Sequence, residues 1–230
     1  MMTNNHFLPI TADPTVGFLR NSRTMNSTIR STVLSLTASL ALAGMLAAQE
    51  PAKPAAAMSG PQVFAIDDVH SMALFRVHHL GAGQFWGRFN EVSGNFTFEQ
   101  GKAEGLKFDV TIKTDSVDSG NADLDKHLRS PDFFSTKDFP AMTFKSTKAT
   151  KTGESTYDVM GELTMHGVTK PVTAKVEFCG MRDMGRGPKA GFEATFTVKR
   201  SEFGVNYGVE KGAIGDDVKV IVGLEGSPAK

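Results

Sequence analysis

Residues 106–113 read "LKFDVTIK", and their alternation decides the fold class. Leu106, Phe108, Val110 and Ile112 are apolar, while Lys107, Asp109, Thr111 and Lys113 between them are polar. Successive side chains of an extended strand point to opposite faces, so this stretch has one dry face and one wet face. A half-wet strand belongs to antiparallel rather than parallel sheet. The same period recurs at Val172, Ala174, Val176 and Phe178, at Phe192, Ala194, Phe196 and Val198, and at Val218, Val220, Val222 and Leu224.

Working outward, strands are expected at about 63–79 (continuous or broken), 84–90, 93–100, 105–117, 141–150, 155–166, 170–181, 189–199 and 216–225, with glycine-containing turns between several of them. There is no alternation of strands with helices and no internal repeat. Eight or nine antiparallel strands shed their exposed edges by closing on themselves. The expected fold is therefore all-β, an antiparallel eight-stranded barrel, with a two-sheet sandwich as the alternative.

One segment breaks the pattern. Residues 125–144, "DKHLRSPDFFSTKDFPAMTF", carry charges and then three phenylalanines before alternation resumes at Ala141. Asn121 or Asp123 can cap a helical turn that puts Leu124 and Leu128 on one face, and Pro131 is expected to end it. Phe133, Phe134 and Phe139 then lack a strand face of their own. They suit a short helical cap, with Phe133 and Phe134 as a lid over one barrel end. The lid could close a filled core or cover a ligand cavity.

The chain has 230 residues, equal numbers of basic and acidic side chains, and a single cysteine, Cys179. From Met25, Arg30 precedes an apolar run, Val33 to Ala48, which small residues close. That layout is a secretory signal peptide, and the run is shorter than the roughly 20 residues of a membrane span. Residues 1–48 are thus expected to be an N-terminal extension and signal peptide, residues 49–61 ("QEPAKPAAAMSGP") a Pro/Ala linker, and residues 62–227 the domain. The expected location is periplasmic or secreted. Without residues 1–48 the chain keeps 22 basic and 24 acidic residues. Such a balance, with no basic stripe, does not fit a nucleic-acid binder. A lone cysteine cannot form an internal disulfide, so the core must carry the stability.

Chemistry-bearing constellations are sparse. His78 and His79 point to opposite faces, and His70 and His78 would lie about 26 Å apart on one extended strand. No metal site is expected from them, although His127 or His166 could add a ligand from elsewhere. There is no G-x-S-x-G motif, and Cys179 is out of phase with the inward Phe178. Asp123 and Asp125 beside His127 suit a helix start. The glycines of "GAGQFWG" (81–87) read as turn and bulge residues, since no helix follows them. No catalytic residue is expected.

Five separated stretches resemble the YceI-like family: "IDDVHSMALFRVHHL" (66–80), "GRFNEVSGNFTF" (87–98), "LDKHLRSPDFFSTKDFPAMTFKS" (124–146), "VMGELTMHGVTKPV" (159–172) and "KRSEFGVNYG" (199–208). The resemblance covers residues 63 to 226. It implies an exported, lipocalin-like barrel that holds a long-chain polyisoprenoid, either a prenyl diphosphate or an isoprenoid quinone, as carrier or reservoir. No cofactor beyond that lipid is implied, no transmembrane segment is expected in the mature protein, and a homodimer stands as a candidate assembly. The inward positions that would line the cavity are Phe75, Val77, Phe89, Phe96, Leu106, Phe108, Val110, Ile112, Leu163, Val172, Phe192, Phe196 and Val220. His79, His127, Arg129 and Arg200 are candidates for the mouth, the two arginines pairing with an anionic head group or else anchoring loops. The competing readings are an enzyme acting on an isoprenoid lipid and a stress-related interaction protein with a filled core.

Overall fold

The computed structural model describes residues 60–229. The expected signal peptide and nearly all of the linker lie outside the described residues. Eleven strand segments build the fold: β1 (Gln62–Ile66), β2 (Met72–His79), β3 (Gly83–Phe89), β4 (Val92–Glu99), β5 (Lys102–Lys113), β6 (Val117–Asp118), β7 (Ala141–Lys151), β8 (Thr156–Met165), β9 (Val168–Asp183), β10 (Pro188–Lys199) and β11 (Ile214–Pro228). All pair antiparallel. The ladder runs β4-β5-β7-β8-β9-β10-β11, and β1 closes it by pairing with both β11 and β4. β2 extends β1 along β11, β3 extends β4 along β2, and β6 extends β5 along β3. The result is a closed barrel of eight strands, three of them bent.

One expected boundary shifts, and one long strand breaks in two. The strand expected at 105–117 stops at Lys113, a 3-10 turn spans Thr114–Ser116, and only Val117 and Asp118 rejoin the sheet. Buried Thr114 holds that corner, its hydroxyl donating to the Phe139 carbonyl at 2.6 Å. The 63–79 strand breaks at residues 67–71. There Asp67 Oδ1 accepts from the backbone N–H of Val69 and His70, while the buried Ser71 hydroxyl accepts from Glu225 N at 3.0 Å. The side chains supply hydrogen bonds that the ladder loses, so the chain can bend and stay attached to β11.

The ends of the barrel differ. At one end three short hairpin turns, residues 100–101, 152–155 and 184–187, meet an aromatic floor. Phe192 packs edge-on against Phe96, Phe98 and Phe108 at 5.2, 5.1 and 5.3 Å between centroids, and Phe64 stacks on Phe96 at 5.1 Å. At the other end lie the β2–β3 hairpin, the long 114–140 connection and the loop of residues 200–213. In that connection α1 (Ala122–Leu128) forms as expected, capped by Asn121, whose Oδ1 accepts from Asp123 N and Leu124 N at 3.1 and 3.0 Å. The helix stops at Leu128, three residues before Pro131, because the chain turns back on itself: Phe134 N donates to the Leu128 carbonyl and Ser135 N to that of Ser130.

A candidate lipid cavity

Beneath this capped end the barrel is hollow. A cavity of about 420 Å³ lies among β2, β3, β10, β11, α1 and the 205–214 loop. A second void of about 50 Å³ lies deeper, toward the floor. Ile112, Met142, Leu163 and Phe196 border both. In a filled barrel every inward residue would be sealed. Here Phe85, Phe196, Val218 and Val220 border the void and are only half-buried.

The alternation that defines the strands aims these side chains inward. Phe75 and Val77 on β2 face Val220 and Val218 on β11, and Phe196 on β10 lies across from Val220. Space for Phe75 comes from its partner across the sheet, Gly87. A Cβ at Gly87 would lie 2.3 Å from Phe75 Cζ, so this glycine is required by the close approach of a ring. The expectation of turn or bulge glycines at 81–87 therefore holds for Gly81 (φ 64°), which sits in the hairpin, and not for Gly87.

The expected lining residues divide into three groups. Phe75, Val77, Phe89, Ile112, Leu163, Phe196 and Val220 border the larger cavity. Phe108, Val110 and Phe192 border only the deeper void. Phe96, Leu106 and Val172 border neither. Phe96 is locked in the floor and Leu106 is sealed near the 100–101 hairpin, while Val172 is only half-buried. Strand parity says which face a side chain takes but not its height along the barrel axis, hence the overcount.

The cap forms the roof. Phe133 is buried against the rings of His127 and Tyr207, with centroids 5.1 Å from Tyr207. Phe134 points the other way, edge-on to Phe89 at 5.1 Å and Phe75 at 6.3 Å. Leu124 and Leu128 complete the roof from one face of α1. Phe139 takes no part; its ring packs at a tilt against His166, 4.3 Å between centroids.

Polar groups gather at the rim. Exposed His79 and half-exposed Tyr207 border the cavity, which therefore meets solvent between the β2–β3 hairpin and the 205–214 loop. His127 also borders it, its ring edge-on to Tyr207 and its Nε2 paired with Asp132 at 2.9 Å. Of the two arginines, Arg200 borders the cavity and Arg129 does not. Arg129 donates to the carbonyls of Asp115 and Val117 at 2.9 and 2.8 Å and pairs with the Asp115 carboxylate, tying α1 to the strand corner. It anchors a loop here, the second of the two roles expected of it.

Arg200, only 5% exposed, is a hub. Its Nε donates to Gly215 O at 2.8 Å, Nη1 to Val205 O at 3.0 Å, and Nη2 to Tyr207 O at 2.8 Å and Ile214 O at 3.0 Å. Burial pulls its pKa below the usual arginine value, and the nearby Asp216 carboxylate opposes that. The planar fork of donors lets one side chain tie both arms of the 205–215 loop. Asp216 accepts from Ser201 N and Oγ; although burial works against its charge, these bonds, with Lys199 and Arg200, hold its carboxyl below the ordinary range.

Of the five histidines considered as metal ligands, His70 pairs with Asp67, His78 with Gln84 and His127 with Asp132, while His166 packs against Phe139 and His79 stands exposed at the cavity rim. Asp67, His70 and Glu225 do converge, with ligand atoms within 4.8 Å of one another. Lys189 already lies among them, its Nζ 2.6 Å from Asp67 and 3.4 Å from Glu225. An ammonium there repels a second cation, so the cluster reads as an ion-pair network. Cys179 is exposed, and its thiol is pushed up by partial burial and by Glu177 and Glu193, opposite to what a nucleophile requires.

Other lining residues were not among those expected to line the cavity. Phe85, Met165, Val198 and Val218 share strand parity with expected neighbours and could have been found that way. Val205, Tyr207 and Ile214 stand in or beside an irregular loop, where no period reports direction.

The comparisons with known proteins agree with this architecture. The YceI-like domain profile matches residues 64–226. A UPF0312 protein of Pseudomonas paraeruginosa is 41% identical over 158 residues, covering 68% of this chain and 81% of that protein. Protein YceI of Escherichia coli is 40% identical over 162 residues, covering 70% and 83%. Among solved structures, Burkholderia cenocepacia BcnA matches with a TM-score of 0.63 and 26% identity over 70% of this chain and 98% of its own. A polyisoprenoid-binding domain from Saccharophagus degradans shares the fold at a TM-score of 0.57 and 16% identity, covering 73% and 99%. With a profile that spans most of the chain and relatives at about 40% identity, this protein belongs to the YceI-like family.

Proposed function

We propose that the protein binds an isoprenoid lipid inside the barrel and serves as its carrier or reservoir outside the cytoplasm. The observation that carries this reading is the cavity of about 420 Å³, lined almost wholly by apolar side chains and open to solvent beside His79 and Tyr207. A branched hydrocarbon gains about 25 cal/mol for each Å² of apolar surface taken from water, and such a chain needs no polar partner along its length. The head group would lie at the rim, near His79, His127 and Tyr207. Support from kinship is twofold: membership of the family, and a fold neighbour that is itself a polyisoprenoid-binding domain. Among the described residues no helix is long and apolar enough to cross a membrane. Export rests on the Arg30 and Val33–Ala48 pattern, and sequencing the N-terminus of the exported protein tests it: a terminus near Gln49 is expected, and an intact Met1 or Met25 refutes it.

Lipid extraction and native mass spectrometry of the purified protein test binding. Wild type is expected to carry one isoprenoid per chain. Val220→Asp puts an unpaired carboxylate between Phe75 and Phe196 and is expected to abolish the load, since burying such a charge is costly. Full lipid load on a Val220→Asp variant with native circular dichroism would place the lipid elsewhere and refute the reading.

A further inference from the structure

We infer that the flank of the β2–β3 hairpin docks the barrel onto a bilayer surface that carries anionic lipid, with the cavity mouth beside the point of contact. The inference rests on the carrier reading for its purpose and on the outer face of the barrel for its evidence. The first observation is the hairpin tip. Leu80 and Gly81 both have positive φ, 51° and 64°, and Ala82 N donates to the His79 carbonyl at 3.0 Å, the pattern of a type I′ turn. Such a turn favours Asn, Asp or Gly at its first central position, because a bulky side chain is strained at positive φ. Leucine stands there instead and is 65% exposed. Strain and a wetted apolar side chain both cost stability, and entry of that side chain into an apolar phase offsets them. Leu80 N also donates to Ala213 O at 2.7 Å, and its neighbour His79 borders the cavity, so this tip stands at the mouth.

The second observation lies on the outward face of the same hairpin. Trp86, 46% exposed, pairs across the sheet with Arg76, which pairs in turn with Lys219 on β11. Arg76 Cζ lies 5.7 Å from the centre of the Trp86 ring, and Arg76 Nε has no hydrogen-bond partner among the described residues. Nearby cations are matched, Arg88 by Asp118 and Lys199 by Asp217. Among the described residues Arg76 and Lys219 form no salt bridge. A tryptophan beside unpaired cations suits the boundary between acyl chains and anionic head groups. Leu80 is four residues along the strand from Arg76, about 13 Å, so tip and flank reach one surface. Exposed Glu202 and Glu210 repel that surface from the 200–213 loop, which leaves the contact to the hairpin. A two-fold contact through this face would set the unpaired cations of two copies together, which disfavours a second copy as the occupant.

Trp86 is the only tryptophan in the sequence, so its emission reports the contact directly. Protein from the exported fraction is titrated with phosphatidylcholine vesicles, with and without about 30% phosphatidylglycerol, and emission and co-sedimentation are read. The anionic vesicles are expected to shift Trp86 emission to the blue and to bind roughly tenfold more tightly than the neutral ones, since each basic side chain near such a surface is worth about fivefold. Replacing Arg76 and Lys219 together with Gln is expected to remove most of that preference. Leu80→Asn suits the turn, so it should keep native circular dichroism while weakening vesicle binding severalfold. Equal binding to both kinds of vesicle, or full binding by folded Leu80→Asn, overturns the inference. So does a dimer that Leu80→Asn disperses, or an acidic protein partner, with no response to vesicles. Vesicle binding by protein that carries no isoprenoid would uphold the docking face and remove the carrier reading.

Discussion

Arg200 distinguishes a head-group ligand from a structural tie. Its side chain makes four hydrogen bonds, all to backbone carbonyls of the 205–215 segment. A hydrogen bond to a charged group contributes about 1.5–3 kcal/mol, so Arg200→Met forfeits roughly 6–12 kcal/mol of gross interaction. The wild-type protein also bears the cost of holding a cation away from water, several kcal/mol, which the variant recovers. The net expected loss is about 3–5 kcal/mol. Arg200→Lys should rescue less than half of it, because one ammonium cannot reach carbonyls on both arms of the loop. Urea unfolding followed by far-ultraviolet circular dichroism measures both variants. A loss below about 1 kcal/mol in Arg200→Met would refute the structural role, and lipid loss in that stable variant would make Arg200 a head-group contact instead.

Three further outcomes follow from packing and charge. Phe133 and Phe134 pack on different partners, so the double substitution to Ala should cost about 5 kcal/mol, below the roughly 6–10 of two fully buried phenylalanines because Phe134 is only half-buried and both already border a void; unchanged urea denaturation would refute their role in the roof. Gly87→Ala should push the Phe75 ring into the cavity, lowering stability by about 1–3 kcal/mol and at least halving the lipid load; a full load would refute the steric argument. Hydrogen bonding from Lys189 holds the Asp67 carboxyl far below its ordinary range, a shift that burial opposes. A carboxylate depressed in the folded state stabilises it above the unfolded pKa, near 4, and loses that contribution as the pH falls toward the folded value. The urea midpoint should therefore drop between pH 7 and pH 3, and Asp67→Asn should lower it at pH 7 while narrowing the drop; an unchanged drop in the variant would refute the assignment.

The sequence by itself determined what depends on neighbouring residues along the chain. Strand direction is local, because a pleated backbone turns each side chain opposite to the last. "LKFDVTIK" therefore announced a half-buried antiparallel strand before any partner was known, and Asn121 or Asp123 announced the start of α1, with the structure giving the cap to Asn121. Closure into a barrel was also legible, since eight half-wet strands otherwise leave open edges. Other properties depend on distant groups meeting. Phe96 and Phe196 share a spacing pattern and a chemistry, yet one is sealed in the floor and the other borders the void. Their difference is height along the axis, which follows from the stagger of paired strands. Arg129 and Arg200 looked alike as cations near loops, and only the fold shows one bound to the 115–117 corner and the other enclosed by four carbonyls at the cavity wall. Whether the barrel is hollow was likewise decided by tertiary structure, because a void is the space left when rings from separate strands fail to meet, and no periodicity along one strand records that distance.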